Sequence, residues 1–322
     1  MRLQFLKNFV VLSFLGTLFF FWSYFLLNHY VRGDQVHYWR LWEALKESTA
    51  IESFSLAAIH VSSAEPISVL ILWLGANLGI QKTIYISLLN VALGLGLFLF
   101  LLRHRAPIYF YFLVFSNFYL IVLMTGAERL KVAYLLLVFS AIAPSWMGFV
   151  LASLSPFAHL QSLIFLVGFF SAKAVDSLSD VVNKFTISKQ TLKFAAVFGF
   201  MQTVLLIVLG GALYAKGSGY SERSEGVAEV IQIVLLGLIG TFVTRYRLRM
   251  IIGLLPMAIA AYILGGLRVN MIAVTLVVYL IVIEQRTKHL FFVILMVYLS
   301  VKSIPFVYNI LKNGNGFNGY LF

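Results

Sequence analysis

The sequence predicts an all-α, polytopic integral membrane protein. The expected architecture is a helical bundle of about ten transmembrane helices, with short re-entrant or interfacial helices beside them. Three observations carry this. Of the 322 residues, 61% are hydrophobic. Only 11% are charged, where a soluble chain carries about a quarter. The apolar residues also come in continuous runs, near 8–31, 66–79, 83–102, 107–126, 130–146, 147–171, 194–215, 227–244, 250–267, 269–284 and 289–311. A span needs about 20 mostly apolar residues, whereas a transmembrane β-barrel alternates residue by residue. No internal repeat and no soluble domain interrupts the series, so residues 1–322 read as one membrane domain.

The net charge of +12 is a membrane signal and not a nucleic-acid signal, because the basic residues cluster at the ends of apolar runs, where they orient helices. The absence of cysteine excludes disulfides, thiolate metal sites and cysteine nucleophiles. The first run, Asn8 to Val31, exceeds the length of a signal-peptide core and lacks a small-residue cleavage site. It is expected to stay as an anchor.

Basic connectors assign the sides. Arg2 and Lys7, Arg103 and Arg105, Lys173 through Lys193, Arg245, Arg247 and Arg249, and Arg286 with Lys288 are expected in the cytoplasm. If all of these share one face, the runs 66–79 and 147–171 cannot each be one full crossing. The first has 14 residues, a length that suits a re-entrant or interfacial helix. The second is interrupted at Ser155-Pro156, where proline removes a helical hydrogen bond. Irregular backbone at membrane depth survives only where it is buried or lines a cavity, so both anomalies point to a cavity. With these sides, nine of the twelve carboxylates fall outside: Asp34, Glu43, Glu47, Glu52, Glu65, Glu128, Glu222, Glu225 and Glu229. Arg129, His159 and Arg268 share that face.

The polar segment 32–65 is an extracytoplasmic loop. Within it Gln35–Lys46 has the spacing of an amphipathic helix, with Tyr38, Leu41, Trp42 and Leu45 on one face and Arg40, Glu43, Lys46 and Glu47 opposite. Such a helix is expected to lie on the outer interface, either as a plain anchor or next to a site. Asp34 precedes it, as an N-cap or as a carboxylate held near a lipid-linked substrate. Arg32-Gly33-Asp34 is treated as a chance triplet. Glu65-Pro66 sits where the loop re-enters the apolar phase. Partial desolvation there suits a carboxylate to proton transfer; a first-turn acid with Pro66 opening a helix is the plainer alternative.

Arg129 and Lys131 open a span directly after Glu128. Snorkelling to the interface or pairing with Glu128 accounts for them without function. Arg268 lies between two apolar runs joined by almost no connector. An outward arginine against the positive-inside trend suggests an anionic ligand, phosphate above all, because the planar fork binds two oxygens at once. His159 follows the Pro156 break as a packing residue, a phosphate donor or a general acid–base group. Glu222, Glu225 and Glu229 share a helix face and are expected to begin a span, with Ser224 as N-cap; a metal site there is disfavoured because no histidine accompanies them. His104 and His289 sit beside basic residues as headgroup contacts. No Walker motif, Gly-x-Ser-x-Gly elbow or His-Glu-x-x-His is present, which argues against ATP-driven work and standard hydrolase chemistry.

Five landmarks in order resemble the EpsG-like group of bacterial polysaccharide polymerases, related to the Wzy O-antigen polymerases. They are Gly33-Asp34-x-x-x-Tyr38, Glu65-Pro66, Arg129-x-x-x-Ala133, His159 and Arg268-x-Asn270, covering about 30 to 285. The family pattern Phe-His-x-Ser reads here as Phe157-Ala158-His159-Leu160-Gln161-Ser162, which shifts the histidine's register. The resemblance implies a glycosyltransferase of the bacterial inner membrane, with its site facing the periplasm. It would transfer a growing glycan from undecaprenyl pyrophosphate to the non-reducing end of a lipid-linked repeat unit. It also implies no cofactor and no metal. The expected partners are the undecaprenyl-pyrophosphate-linked oligosaccharide, membrane lipid, a chain-length regulator protein and a flippase. On this reading Arg129 and Arg268, with Tyr38 and Asn270, bind pyrophosphate and sugar. Glu65 or Asp34 takes the proton of the attacking hydroxyl, and His159 hydrogen-bonds or protonates the leaving group. The rival expectations are a flippase or transporter for the same lipid-linked glycans, and another lipid-linked glycosyltransferase such as an O-antigen ligase. A transporter often shows two similar halves, which this sequence lacks.

Overall fold

The computed structural model describes residues 2–62, 65–184, 226–264 and 267–317. These residues form fourteen α-helices and no strand. In chain order they are α1 (Arg2–His29), α2 (Asp34–Leu45), α3 (Glu52–Val61), α4 (Pro66–Asn77), α5 (Lys82–Arg103), α6 (Ile108–Phe115), α7 (Phe118–Thr125), α8 (Glu128–Ile142), α9 (Ser145–Ala158), α10 (Ser162–Lys184), α11 (Gly226–Val243), α12 (Arg247–Leu264), α13 (Leu267–Ile283) and α14 (Leu290–Asn313). Among the described residues, Val10–His29 of α1, all of α5 and all of α14 are long and apolar enough to cross a membrane. Two bent pairs raise the number to five if each is one span. The run 194–215 and the expected Ser224 cap with Glu222 and Glu225 lie outside the described residues.

The chain falls into two compact units, Met1–Ser162 with Val293–Phe322 and Leu163–Phe292. In the first, small residues let helices approach closely. Gly16 of α1 faces Val91 and Leu95 of α5, and Gly94 of α5 faces Phe19; Asn90 donates to Ser23 Oγ at the same crossing, 2.6 Å. On α5, Gly96 receives Val138 of α8. α8 and α9 run antiparallel: Gly148 lies against the Ser140 carbonyl, and Ala158 packs with Val132 and Ala133 at the other end. In the second unit Gly237 and Gly240 of α11 meet Leu254 and Met250 of α12. There Gly168 of α10 abuts Gly253, and Phe165 and Phe169 meet Tyr279 of α13 edge-on.

Several expectations are corrected by this packing. The amphipathic helix exists as α2, with Arg40, Glu43, Lys46 and Glu47 exposed. Its apolar face does not lie on lipid, however. Tyr38, Leu41, Trp42 and Leu45 are buried in a cluster with Leu27, Val69, Leu72, Ala76 and Ile86, so α2 is docked on protein. Asp34 is not its N-cap; Gly33 holds that place with φ 61° and ψ −138°, a conformation open to glycine and strained for other residues. The following α3 opens with a capping box. The Thr49 amide donates to Glu52 Oε2 at 2.8 Å, and the Glu52 amide donates to Thr49 Oγ1 at 3.3 Å, satisfying two helix-end donors reciprocally.

The run 107–126 is not one straight span. It bends by 50° between α6 and α7, because the Ser116 hydroxyl turns back to the Phe112 carbonyl and Asn117 Oδ1 caps α7 at Tyr119 N, 2.8 Å. The short segment after Pro66 is α4, 12 residues and so about 18 Å long, turned by 103° from α3. The break in 147–171 lies at His159–Gln161 and not at Pro156, which is inside α9. Proline orphans the carbonyl four residues back, and the Ser155 hydroxyl donates to that Ala152 oxygen at 2.7 Å. The helix therefore passes Pro156 and stops at Ala158.

Candidate functional site

Four helices of the first unit bring Tyr38, Glu65, Arg129 and His159 together around one carboxylate. Pro66 opens α4 with Glu65 at its N-cap in an extended conformation. Its backbone carbonyl takes the first helical bond from Val69 N, 3.2 Å, and its side chain points back into the unit. Arg129 sits in the first turn of α8, a place the helix dipole makes unfavourable for a cation. Its Nη1 meets Glu65 Oε2 at 2.6 Å, and its Nε donates to Tyr38 Oη at 3.2 Å. From the α9–α10 break, His159 Nδ1 faces Glu65 Oε1 at 3.1 Å. The Ser68 hydroxyl of α4 donates to the carbonyls of Ala158 and of Arg129, which fixes both helix ends beside Glu65. All four side chains are buried; Glu65 is 4% exposed and Arg129 9%.

The charges decide what this cluster can do. Coulomb attraction at such distances is large once water is excluded, and a buried ion pair keeps both partners ionised only with added hydrogen bonds. Tyr38 and His159 supply those bonds. Among the described residues, Arg129 commits Nε to Tyr38 and Nη1 to Glu65. His159 Nε2 lies 3.2 Å from Gln161 Oε1. Two states satisfy both ring nitrogens: an imidazolium, or a neutral ring donating from Nδ1 with the Gln161 amide turned. The group thus combines an anion-binding fork, a carboxylate oriented from two sides, and a histidine able to hold or pass a proton.

A second buried network adjoins the first along α2 and α8. Gln35 lies one turn before Tyr38, and Glu128 immediately precedes Arg129. Gln35 Nε2 donates to Glu128 Oε1 at 2.8 Å and to the Thr125 carbonyl at 2.5 Å. Lys82 Nζ donates to Gln35 Oε1 at 2.5 Å and stands 4.7 Å over the Trp39 ring. Lys131 Nζ meets Glu128 Oε2 at 2.8 Å and the Met124 carbonyl at 3.0 Å. The expectation that Arg129 and Lys131 snorkel to the interface is overturned, since Lys131 is wholly buried and Arg129 turns inward. The Glu128 pairing holds for Lys131.

The remaining expected residues lie elsewhere. Asp34 is exposed in the first turn of α2, one turn from Tyr38. Arg268 and Asn270 belong to the second unit, in the first turn of α13. There Asn270 is buried and donates to Gln232 Oε1 at 2.7 Å. Sequence reasoning missed Gln35 and Lys82. The signal was available: Gln35 continues the Tyr38–Trp42 stripe of α2, and Lys82 begins an apolar run that a lone connector lysine does not need. Among the described residues, no three His, Asp or Glu side chains gather as a cation-binding group.

Compared with known proteins, the chain matches no family model, no curated protein and no solved structure.

Proposed function

We propose that this chain is a surface-polysaccharide polymerase of the bacterial inner membrane, crossing the bilayer about ten times with the Glu65 cluster facing the periplasm. The substrate is an undecaprenyl-pyrophosphate-linked oligosaccharide. The growing glycan leaves its pyrophosphate and is joined to the non-reducing end of an incoming repeat unit; a chain-length regulator and a flippase are the expected partners. One observation carries the reading: Arg129 and His159, widely separated in sequence, converge on the buried Glu65 carboxylate, with Tyr38 holding Arg129.

In the proposed mechanism Arg129 Nη2 binds a pyrophosphate oxygen and stabilises the charge that develops as the C–O bond to the donor sugar breaks. Glu65, oriented by Arg129 and His159, accepts the proton of the attacking hydroxyl, and His159 donates a hydrogen bond or a proton to the departing phosphate. Burial beside these groups makes Glu65, and not the exposed Asp34, the favoured base. Arg268 and Asn270 join the proposal as a second anion-binding pair.

The test is the surface polysaccharide of a deletion strain carrying the wild-type or variant gene. A ladder collapsed to one repeat unit supports polymerase, and the absence of any repeat at the surface points to a flippase or an earlier step. Purified protein with lipid-linked repeat units separates the classes independently. Polymer formed in detergent means an enzyme, because no compartments exist there.

A further inference from the structure

We infer that the second unit carries a phosphate site for an anionic phospholipid headgroup, built where α11, α12 and the α13–α14 turn meet. The elements are joined there by Glu284. It accepts from the Thr244 hydroxyl at 2.8 and 2.7 Å and from the Arg245 amide at 2.9 Å. Phe242 lies tilted against Phe291 at 6.2 Å, and His289 stacks on Phe291 at 5.9 Å. These contacts gather Arg245, Arg247, Arg249, Arg286, Lys288 and His289 at one end of the unit. The Glu284 oxygens are taken by a hydroxyl and an amide.

Orientation of the chain in a bilayer explains cations in solvated connectors. It does not explain cations turned inward. Arg286 Nε and His289 Nδ1 are enclosed and meet no hydrogen-bond partner among the described residues. An enclosed donor left without an acceptor costs about 1–3 kcal/mol, and a guanidinium fork is shaped for phosphate. A phosphate between Arg286 and His289 satisfies both atoms, with His289 donating from Nδ1. The occupant is a lipid because the site is rimmed by exposed apolar and aromatic side chains: Phe242, Tyr246, Leu248, Leu290 and Phe291. Aromatic rings beside arginines mark the headgroup level of a bilayer, and acyl chains would cover this rim while the phosphate enters the cationic end. The inference is independent of the polymerase reading.

Native mass spectrometry of the protein purified in detergent, with equimolar phosphatidylglycerol and phosphatidylcholine, tests it. Both lipids carry phosphate, but only the first is a net anion. Wild-type protein should retain phosphatidylglycerol over phosphatidylcholine by about tenfold, because the choline cation cancels the phosphate charge that the arginines attract. The double variant R286Q/H289Q should lose that preference. Equal retention of the two lipids, or an unchanged preference in the variant, overturns the site. Thermal unfolding separates the sources of phosphate. A midpoint raised by phosphatidylglycerol and not by millimolar inorganic phosphate supports the lipid, and the same rise with inorganic phosphate alone overturns the lipid source. If the variant does not fold, wild-type protein in rising salt replaces it. The preference should fall as charges are screened, and a salt-independent preference overturns the electrostatic assignment.

Discussion

Arg129 is held from two directions, by Glu65 and by Tyr38, so its substitutions separate charge from geometry. Arg129→Ala leaves Glu65 buried beside His159 without its guanidinium. Such a loss costs about 3–5 kcal/mol and should appear as a lower melting temperature in detergent. Arg129→Lys keeps the charge but has one terminal nitrogen for two partners. It should fold and still fail to extend polymer beyond single repeats, and normal ladders from this variant would take Arg129 out of the proposed mechanism. Tyr38→Phe removes one acceptor and should cost about 1 kcal/mol with the fold intact. The neighbouring network gives an independent test. Lys131→Met should destabilise strongly, because Glu128 loses its direct ion pair and keeps Lys82 only at longer range, with Gln35 hydrogen-bonded to both. Adding Glu128→Gln should recover part of the loss, with a coupling of about 0.5–3 kcal/mol in a double-mutant cycle of thermal unfolding. Additive effects would mean that the two groups do not interact.

At the scale of elements, helix contacts set where these side chains point. α8 carries Arg129 and α9 ends beside His159, so the spacing of this antiparallel pair controls the cluster. A Cβ on Gly148 would stand 2.5 Å from the Ser140 carbonyl oxygen, and backbone cannot yield as a side-chain tip does. Gly148→Ala should therefore force the pair apart, costing about 1–3 kcal/mol and lowering polymer output. Gly16→Ala is the matched control. Its Cβ would meet Val91 at 3.5 Å, an ordinary contact, and melting should stay near wild type. The helices themselves were legible in the sequence: α2 starts within one residue of the position its apolar stripe gave, and α11 to α14 follow their apolar runs. The kinks were less so. Pro156 looked like the break, but the Ser155 hydroxyl repairs its missing hydrogen bond, and that repair is a three-dimensional event.

At the scale of the molecule, charge is spread by position. The proposed topology places the α2–α3 region outside and the Arg103–Arg105 turn inside. A phosphatase reporter fused after Glu52 should be active, and one after Arg105 inactive; the opposite pattern would invert the chain and remove the Glu65 cluster from the periplasm. The two compact units divide the expected site residues, with Tyr38, Glu65, Arg129 and His159 in the first and Arg268 and Asn270 in the second. That division runs through the spaced landmarks on which the family resemblance rests.

The sequence by itself determined that the chain is helical and built for a membrane. Sparse charge and continuous apolar runs leave the backbone no other way to satisfy its hydrogen bonds in lipid. It also marked Glu65, Arg129 and His159 as costly residues in apolar surroundings. Only the tertiary structure decided what those residues do with one another. A lysine or arginine at a helix start can snorkel to water or turn inward, and local sequence is the same in both cases. The choice depends on whether a carboxylate from a distant segment arrives within hydrogen-bond reach. Glu65 does so for Arg129, while Lys131 turns to its helix neighbour Glu128 inside a site that Gln35 and Lys82 close. Partner choice is a through-space energy, decided by helix packing.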